Sequence, residues 1–292
     1  MRKYPIFMIQ SMTGYGKTVL QLPNKKVTIE VKSLNSKNLD VNVRMPAYYR
    51  EKELEVRKKI AASLGRGKID FSIYVEENGA EVSSKINQNV VAEYMKQLND
   101  VVDGNEVEML KMAIRLPDAL KTEREELDEE EWKTIDEALD KTLLKINTYR
   151  TDEGQSLLND FKIRLQNISQ LLDEVIEIDA ERIEQVKDRL TKAVAEIEGK
   201  VDENRFEQEL IYYIEKFDIT EEKVRLKNHL DYFEKELVSN NSNGKKLGFI
   251  SQEIGREINT IGSKANYAPM QKLVVQMKDE LEKIKEQNLN VL

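Results

Sequence analysis

Hydrophobic and polar residues alternate in three short stretches of the first third of the chain. Apolar residues occupy every second position in 27–31, 39–43 and 69–75. This period of two predicts strands that bury one face. The short link at 33–38 predicts that the first two strands form a hairpin.

The charged stretch 50–64 stands between the second and third predicted strands and favours a helix. Its predicted apolar face consists of Leu54, Val56, Ile60 and Leu64. Gly65 follows, as expected at a helix C-terminus. The order strand, strand, helix, strand indicates an α+β domain with a small, largely antiparallel sheet.

Beyond residue 87 the pattern predicts helices. Short helices are expected as far as residue 150, with the acidic stretch 123–131 as a solvated face. From 152 to 200 apolar residues recur at spacings of three, four and seven, which is typical of long amphipathic helices and compatible with a protruding antiparallel pair. We therefore predict an α+β domain at 1–150 and a predominantly α-helical domain with long helices at 151–292.

Three later segments each carry one continuous apolar stripe. In chain order the stripes are Leu226, Leu230, Phe233 and Leu237; Leu247, Ile250, Ile254, Ile258 and Ile261; and Met270, Val274, Met277, Leu281 and Ile284. Pro269 suits the first turn of the last helix. These stripes predict three helices packed in one core.

Charged residues lie beside the first of these stripes. At about 100° per residue, Glu222, Arg225 and His229 share one flank, and Asp218 joins them if the helix extends that far. Asp218 could instead cap the helix together with Glu221. His229 is either a hydrogen-bonded structural histidine or a proton carrier, since histidine titrates near neutral pH without perturbation.

The second stripe is bordered by Glu253, Glu257, Thr260 and Lys264. Carboxylates four residues apart on a helix repel each other by a few tenths of a kcal/mol. A cation between Glu253 and Glu257 would remove that penalty. Two candidates remain open at this point, a divalent metal ion and a salt bridge from Arg256 or another basic residue.

Composition limits the chemistry that the chain can perform. The 292 residues include no cysteine and one histidine, which excludes disulfides, thiolate metal sites and multi-histidine metal cages. Any bound metal must be held mainly by oxygen, which favours magnesium or manganese. The 34% of charged residues and 7% of aromatic residues favour a helix-rich protein over a β-sandwich.

Charge is distributed unevenly along the chain. Residues 1–79 hold 15 Lys+Arg against 8 Asp+Glu, whereas the remainder holds 31 against 46. The basic part either attracts a polyanion or neutralises the acidic helices. Arg66 and Lys68, around Gly67, could contact phosphate or simply form a turn.

No targeting signal is evident from the sequence. The apolar residues near the N-terminus are too few for a signal peptide, and no apolar run approaches the ~20 residues of a membrane span. A cytoplasmic protein without membrane contact is therefore expected. The segment 11–17, SMTGYGK, lacks the P-loop pattern and predicts no nucleotide site.

Several motifs resemble the YicC/YloC family of bacterial endoribonucleases. They are SMTGYGK from 11, RGK from 66, EG at 153, EKFDITEE from 215, RLKNHL from 225 and QEIGREINTIGSKAN from 252. The resemblance runs from about Met8 to the C-terminus, so residues 1–7 look like an extension. At 35–40 the family's usual Asn-His-Arg-Phe-Leu-Asp is replaced by Asn-Ser-Lys-Asn-Leu-Asp.

The resemblance implies a metal-dependent endoribonuclease that forms a hexamer around RNA, with other RNA-decay proteins as further partners. On this hypothesis Glu253 and Glu257, with Asp218 or Glu222, hold a manganese or magnesium ion. His229 transfers protons. The residues expected to contact the RNA backbone are Arg225, Arg256, Lys264, Arg66, Lys68 and Lys37.

Three alternatives remain open. Without a metal, His229 and a carboxylate would activate the ribose 2′-hydroxyl. A non-catalytic adaptor ring would bind RNA and present it to other nucleases. A purely structural helical scaffold would show no RNA affinity and no salt-dependent binding.

Overall fold

A computed structural model describes most of the chain, in the ranges 9–77, 85–121, 127–196, 202–239 and 244–292. The predicted N-terminal extension at 1–7 and part of the acidic stretch 123–131 lie outside these ranges. The fold is α+β, as predicted, with a four-stranded sheet followed by long helices. No helix in these ranges is both long and apolar enough to cross a membrane.

Four strands form the N-terminal sheet in the order β1-β2-β4-β3. Their bounds are Gly14–Gln21 for β1, Lys25–Leu34 for β2, Leu39–Arg44 for β3 and Gly67–Glu77 for β4. The pairs β1–β2 and β2–β4 are antiparallel, and β3–β4 is parallel. Helix α1, Glu53–Leu64, follows a 3₁₀ turn at Ala47–Lys52 and connects the two parallel strands.

The predicted hairpin between 27–31 and 39–43 is wrong. β4 lies between β2 and β3, and β2 forms its hairpin with β1, a strand that the sequence pattern did not predict. Alternation identifies the buried face of a strand but not its neighbour. Helix α1 ends before Gly65 as predicted, but Leu54 is 73% exposed and does not belong to its buried face.

A small lobe follows the sheet. It contains the two-residue strands β5, Lys85–Ile86, and β6, Leu120–Lys121, which pair with each other. Between them lie α2, Gln88–Val101, and α3, Glu106–Ala113. The lobe has a small core of its own around Val91.

The short helices predicted from 87 to 150 are confirmed for α2 and α3. From 129 onward one helix of 67 residues, α4 at Glu129–Ala195, takes the place of further short helices and of the separate long helix predicted after 150. Its first part packs on the sheet through residues that include Trp132 and Ile146. Its middle part, from Leu157 to Val175, enters a second core. The predicted domain boundary at 150 therefore falls inside one continuous helix, between two hydrophobic cores, and the division into two domains stays a prediction.

The C-terminal half is a helical bundle. Its helices are α5, Glu203–Lys216; α6, Thr220–Leu237; α7, Gly244–Lys264; and α8, Ala268–Asn288. α4 packs against α6 and α8, α7 packs against the same two helices, and α5 returns along the end of α4. All three predicted apolar stripes are buried in this bundle, and Pro269 lies in the first turn of α8.

The N-terminal segment joins the sheet to the bundle. The amide of Ser11 donates to the carbonyl oxygen of Arg150 on α4 at 2.9 Å, and the amide of Leu292 donates to Gln10 at 2.9 Å. The Arg150 side chain is fully buried and donates to the carbonyl oxygens of Leu64 and Met12. Its burial lowers the pKa of the guanidinium to about 10, so it stays protonated at neutral pH.

Candidate active site

An ion pair joins the first turn of α6 to the last turn of α7. The Lys264 Nζ atom lies 2.8 Å from Oε1 of Glu222 and 2.8 Å from the carbonyl oxygen of Asp218. Glu222 is buried, and its second oxygen, Oε2, has no hydrogen-bond partner in the described ranges. α6 and α7 therefore run antiparallel, with Glu222 and Lys264 as their contact at one end.

A similar ion pair closes the other end of the same interface. The Lys246 Nζ atom, near the start of α7, lies 2.6 Å from Oε2 of the buried Glu236 on α6. The opposite flank of α6 faces α4, where Lys223 binds Asp179 at 2.7 Å. The flank that carries Glu222 and Glu236 is therefore the flank that faces α7.

His229 lies midway between these two ion pairs. It is seven residues from Glu222 and seven from Glu236, which is about two helical turns or ~10.5 Å of rise in each direction. On α7, Glu257 precedes Lys264 by seven residues and Glu253 follows Lys246 by seven. We call the α6–α7 interface the seam. His229, Glu253 and Glu257 therefore lie at one level of the seam.

At each end of the seam, α6 supplies a carboxylate and α7 supplies a lysine. At the middle level, α7 supplies the carboxylates and α6 supplies the histidine. Glu257 is 4% exposed, Glu253 is exposed and His229 is half-buried. None of the three makes a hydrogen bond or ion pair with another described residue. The described part of the chain has no group of three or more Asp, Glu or His residues close enough to hold a metal ion.

The remaining candidates on α6 have other surroundings. Arg225 is exposed and pairs with Glu221 on its own helix. Oδ1 of Asp218 accepts hydrogen bonds from the amide of Thr220 at 3.2 Å and from its hydroxyl at 2.8 Å. The hydroxyl contributes most to holding the pKa of Asp218 below its ordinary value. Asp218 thus helps to start α6, as the capping alternative predicted, although the capping position itself is Ile219.

The three basic candidates of the N-terminal domain lie at one end of the sheet, next to the C-terminal residues. The Arg66 guanidinium donates to the carbonyl oxygen of Val291 at 3.1 Å, so part of it is used to join the two halves of the protein. Lys68 and Lys37 are exposed, with no ion pair to another described residue. Arg66 therefore lies near Gly244, the first residue of α7, which also packs against the carbonyl oxygen of Val291, but no described hydrogen bond or ion pair joins the three basic residues to His229, Glu253 or Glu257.

Sequence reasoning missed two members of the seam, Glu236 and Lys246. The signal was present, since Glu222, His229 and Glu236 are spaced by sevens and lie beside one apolar stripe. The pattern of charges on a single helix could not show the ion pairs, because the second helix supplies the partners. Arg256, which was expected beside Glu253, lies in a different groove, between α7 and α8.

The fold and the seam define a class of protein. In it, one long helix joins a small α+β domain to a helical bundle, and a histidine lies at the level of two carboxylates between two helices of the bundle. Comparison with known families makes this specific. A sequence model of one protein family, described as "Endoribonuclease YicC-like, N-terminal region", matches residues 9–159. A second family model, "Endoribonuclease YicC-like, C-terminal", matches residues 175–292. The chain belongs to the YicC-like endoribonuclease family.

Two known proteins are similar to this chain over nearly its whole length. The probable endoribonuclease YicC of Clostridioides difficile (strain 630) is 32% identical over 293 residues, covering 97% of this chain and 100% of that protein. The protein of the same name from Haemophilus influenzae is 27% identical over 287 residues, with 97% and 100% covered.

Proposed function

We propose that this protein is an endoribonuclease that cleaves RNA phosphodiester bonds at the seam. The observation that carries the proposal is the register of the seam, which brings the single histidine of the chain to the level of Glu253 and Glu257, between two ion pairs. The names of the two relatives support an RNA-cleaving role. The ion pairs hold the two helices in register, so His229 and the carboxylates keep their positions.

His229 is the proton carrier in this proposal. When water attacks the phosphorus atom, it gives a proton to a carboxylate or to solvent, the bond to the leaving oxygen breaks, and an imidazolium can donate the proton that this oxygen takes up. In the alternative route an imidazole removes the proton of the ribose 2′-hydroxyl, and the 2′-oxygen attacks the same phosphorus. The bond from phosphorus to the 5′-oxygen of the next nucleotide then breaks, and that oxygen takes up the proton from the imidazolium or from solvent. The first route leaves a linear phosphate, and the second leaves a cyclic phosphate.

Lys264 lies in the seam and can bind the phosphate, whereas Arg256 lies in the neighbouring groove between α7 and α8. Arg256 is exposed and makes no ion pair within the described ranges, so its guanidinium is available for a phosphate. Lys264 is already held by Glu222 and by the carbonyl oxygen of Asp218. An ammonium has three donors, so one remains for substrate. Glu222 and Asp218 therefore act by positioning Lys264, rather than on the reacting atoms.

A divalent cation, manganese or magnesium, fits the carboxylates of α7 as a partial site. Such ions are commonly bound through one or two carboxylates together with waters and substrate phosphates. Glu253 and Glu257 would hold it from adjacent turns, and a further ligand would come from RNA, water or another subunit. When bound, the cation would neutralise charge on the phosphate and lower the pKa of a bound water.

We further propose that the protein acts in the cytoplasm as a hexameric ring around RNA, in contact with other RNA-decay proteins. The partial metal site supports assembly, because a neighbouring subunit could complete it. Light scattering coupled to size exclusion measures the mass of the particle. A mass of about 34 kDa, that of one chain of 33.9 kDa, would contradict the ring.

The test of the proposed function is cleavage of an end-labelled RNA by purified protein, with manganese, with magnesium or with chelator. His229→Ala is expected to slow cleavage by at least a hundredfold, since general acid–base catalysis contributes about 10²–10⁴. Glu257→Gln is expected to slow cleavage as well, because it removes one of the two carboxylates that would hold the cation. Glu253→Gln should raise the metal concentration needed. The chemistry of the product ends separates the two routes of attack.

The matched control is Glu234→Gln on the exposed side of α6, which removes the same charge away from the seam. It should cleave as fast as the unaltered protein. Equal cleavage by His229→Ala, Glu257→Gln and the control would contradict the seam as the active site. Binding of RNA without cleavage, or activity lost on further purification, would favour the adaptor ring.

A further inference from the structure

A polar groove follows α7 on the side that faces α8. It is a shallow, open depression of about 520 Å³. No carboxylate lines it, and its walls are formed by Gln252, Gly255, Arg256, Asn259, Thr260, Ser263 and Lys285. The groove is separate from the seam, which lies on the α6 side of the same helix.

The side chains of the groove form one continuous strip. Gln252, Arg256, Asn259 and Ser263 follow one another at spacings of four, three and four, so they share a face of α7. Eleven helical rises make this strip ~16 Å long. It is exposed and covers the same turns of α7 as Glu253 and Glu257, roughly 100° around the helix from them.

Two cations give the groove its charge. Arg256 is exposed, and no acidic group in the described ranges pairs with it. Lys285 pairs with Glu282 at 2.7 Å, yet its Nζ atom lies 3.9 Å from the position that a Cβ atom on Gly255 would take. The Lys285 side chain is 39% exposed, so its ammonium is open to a ligand.

Neutral amides stand beside these cations. Gln252 and Asn259 are exposed, and each carboxamide offers both a donor and an acceptor. Cations together with carboxamides suit a ligand that presents negative charges and hydrogen-bonding edges in alternation. A single strand of RNA has this chemistry, because its bases are free, whereas the base edges of an A-form duplex are largely inaccessible in its deep, narrow major groove.

We infer that the α7–α8 groove binds a single-stranded segment of RNA, with Arg256 and Lys285 on phosphates and Gln252 and Asn259 on base edges. This inference rests on the proposed function, since it supplies the substrate site beside the seam. A strand in the groove runs parallel to the line of Glu253 and Glu257. To reach His229, its backbone needs to pass only the side of α7 that carries Glu253 and Glu257.

Fluorescence anisotropy with a labelled single-stranded 2′-O-methyl oligonucleotide tests the inference, with gels to confirm that the probe stays intact. Arg256→Gln and Lys285→Gln should each weaken binding by about tenfold. Each should also reduce the slope of log K against log salt by ~0.7, the value for one phosphate contact on a single strand. Asn259→Ala should weaken binding without changing the slope.

Lys283→Gln is the matched control, because Lys283 also lies on α8 and pairs with a carboxylate three residues earlier, Glu280, but outside the groove. It should bind as the unaltered protein does. Unchanged affinity and slope in Arg256→Gln and Lys285→Gln would overturn the inference, as would tighter binding of a duplex of the same sequence.

The cleavage assay separates this inference from the proposed function. If the unaltered protein cleaves RNA while the groove variants bind normally, the groove is wrong and the nuclease stands. If the protein binds through the groove without cleaving, the nuclease is wrong and the groove stands. A protein that neither binds nor cleaves contradicts both.

Discussion

Gly154 lies on α4 where the N-terminal segment crosses the helix, and its replacement by alanine gives a sharp test of this crossing. A Cβ atom at this position would lie 1.8 Å from the carbonyl oxygen of Ile9, 2.6 Å from its carbonyl carbon and 3.0 Å from Cα of Gln10. These are backbone atoms, so no side-chain rotation relieves the overlap. The segment would have to move away from α4.

The expected loss in the free energy of unfolding follows from the contacts that the N-terminal segment would lose. Burial of the Ile9 side chain, which is 4% exposed, contributes about 1.5–3 kcal/mol. The hydrogen bond from Ser11 to Arg150 contributes about 1 kcal/mol. Replacing glycine within a helix by alanine returns about 0.5–1 kcal/mol. We expect Gly154→Ala to lower the free energy of unfolding by about 2–3 kcal/mol.

Urea unfolding measures this change, with circular dichroism for the helices and the fluorescence of Trp132, the single tryptophan, for the sheet core. Ser156→Ala is the control, since Ser156 is exposed on the same helix two residues later, and the expected change is within 0.5 kcal/mol. Unchanged or increased stability in Gly154→Ala would refute the reasoning, because helix propensity would then outweigh the crossing.

Three other changes test the junction and the seam. Arg150→Met removes a buried cation that binds several acceptors and should cost about 3 kcal/mol in urea unfolding; a loss below 1 kcal/mol would contradict its role. Glu222→Gln should lower stability by about 1–2 kcal/mol yet leave the cleavage rate of folded protein within threefold, because Glu222 positions Lys264; a tenfold slower rate would assign it to the chemistry. The pKa of Asp218 is lowered on folding, so its contribution to stability is present above about pH 4 and is lost as the pH falls. Asp218→Asn should make the unfolding midpoint less dependent on pH between about 5 and 3, and an unchanged dependence would contradict this.

The apolar stripes of α6, α7 and α8 were predictable because each is continuous and made of large aliphatic or aromatic residues. That α4 is one continuous helix was not predictable, although its buried face is also continuous. Between Ile146 in the first core and Leu157 in the second, the buried positions are Arg150 and Gly154. Neither residue counts as apolar in a periodicity analysis, so the pattern seemed to stop where the helix passes between the two cores.

Strand β1 escaped prediction for a related reason. The face that it turns to α4 begins with Gly14, Gly16 and Thr18, so the alternation of large apolar residues is missing. A Cβ atom on Gly16 would lie 2.6 Å from the carbonyl oxygen of Thr142, which shows how closely the helix approaches. The close packing that makes β1 part of the core also removes the hydrophobic signal by which a strand is recognised.

The seam shows what spacing on a single helix can and cannot determine. A separation of seven residues places Glu222, His229 and Glu236 on one flank whatever the surroundings. Their partners depend on the register of α7, which the two ion pairs with Lys264 and Lys246 define from opposite ends. A slip of α7 by one turn would move it by ~5.4 Å and break both pairs at once. The position of Glu253 and Glu257 opposite His229 therefore follows from charges that take no part in the proposed chemistry.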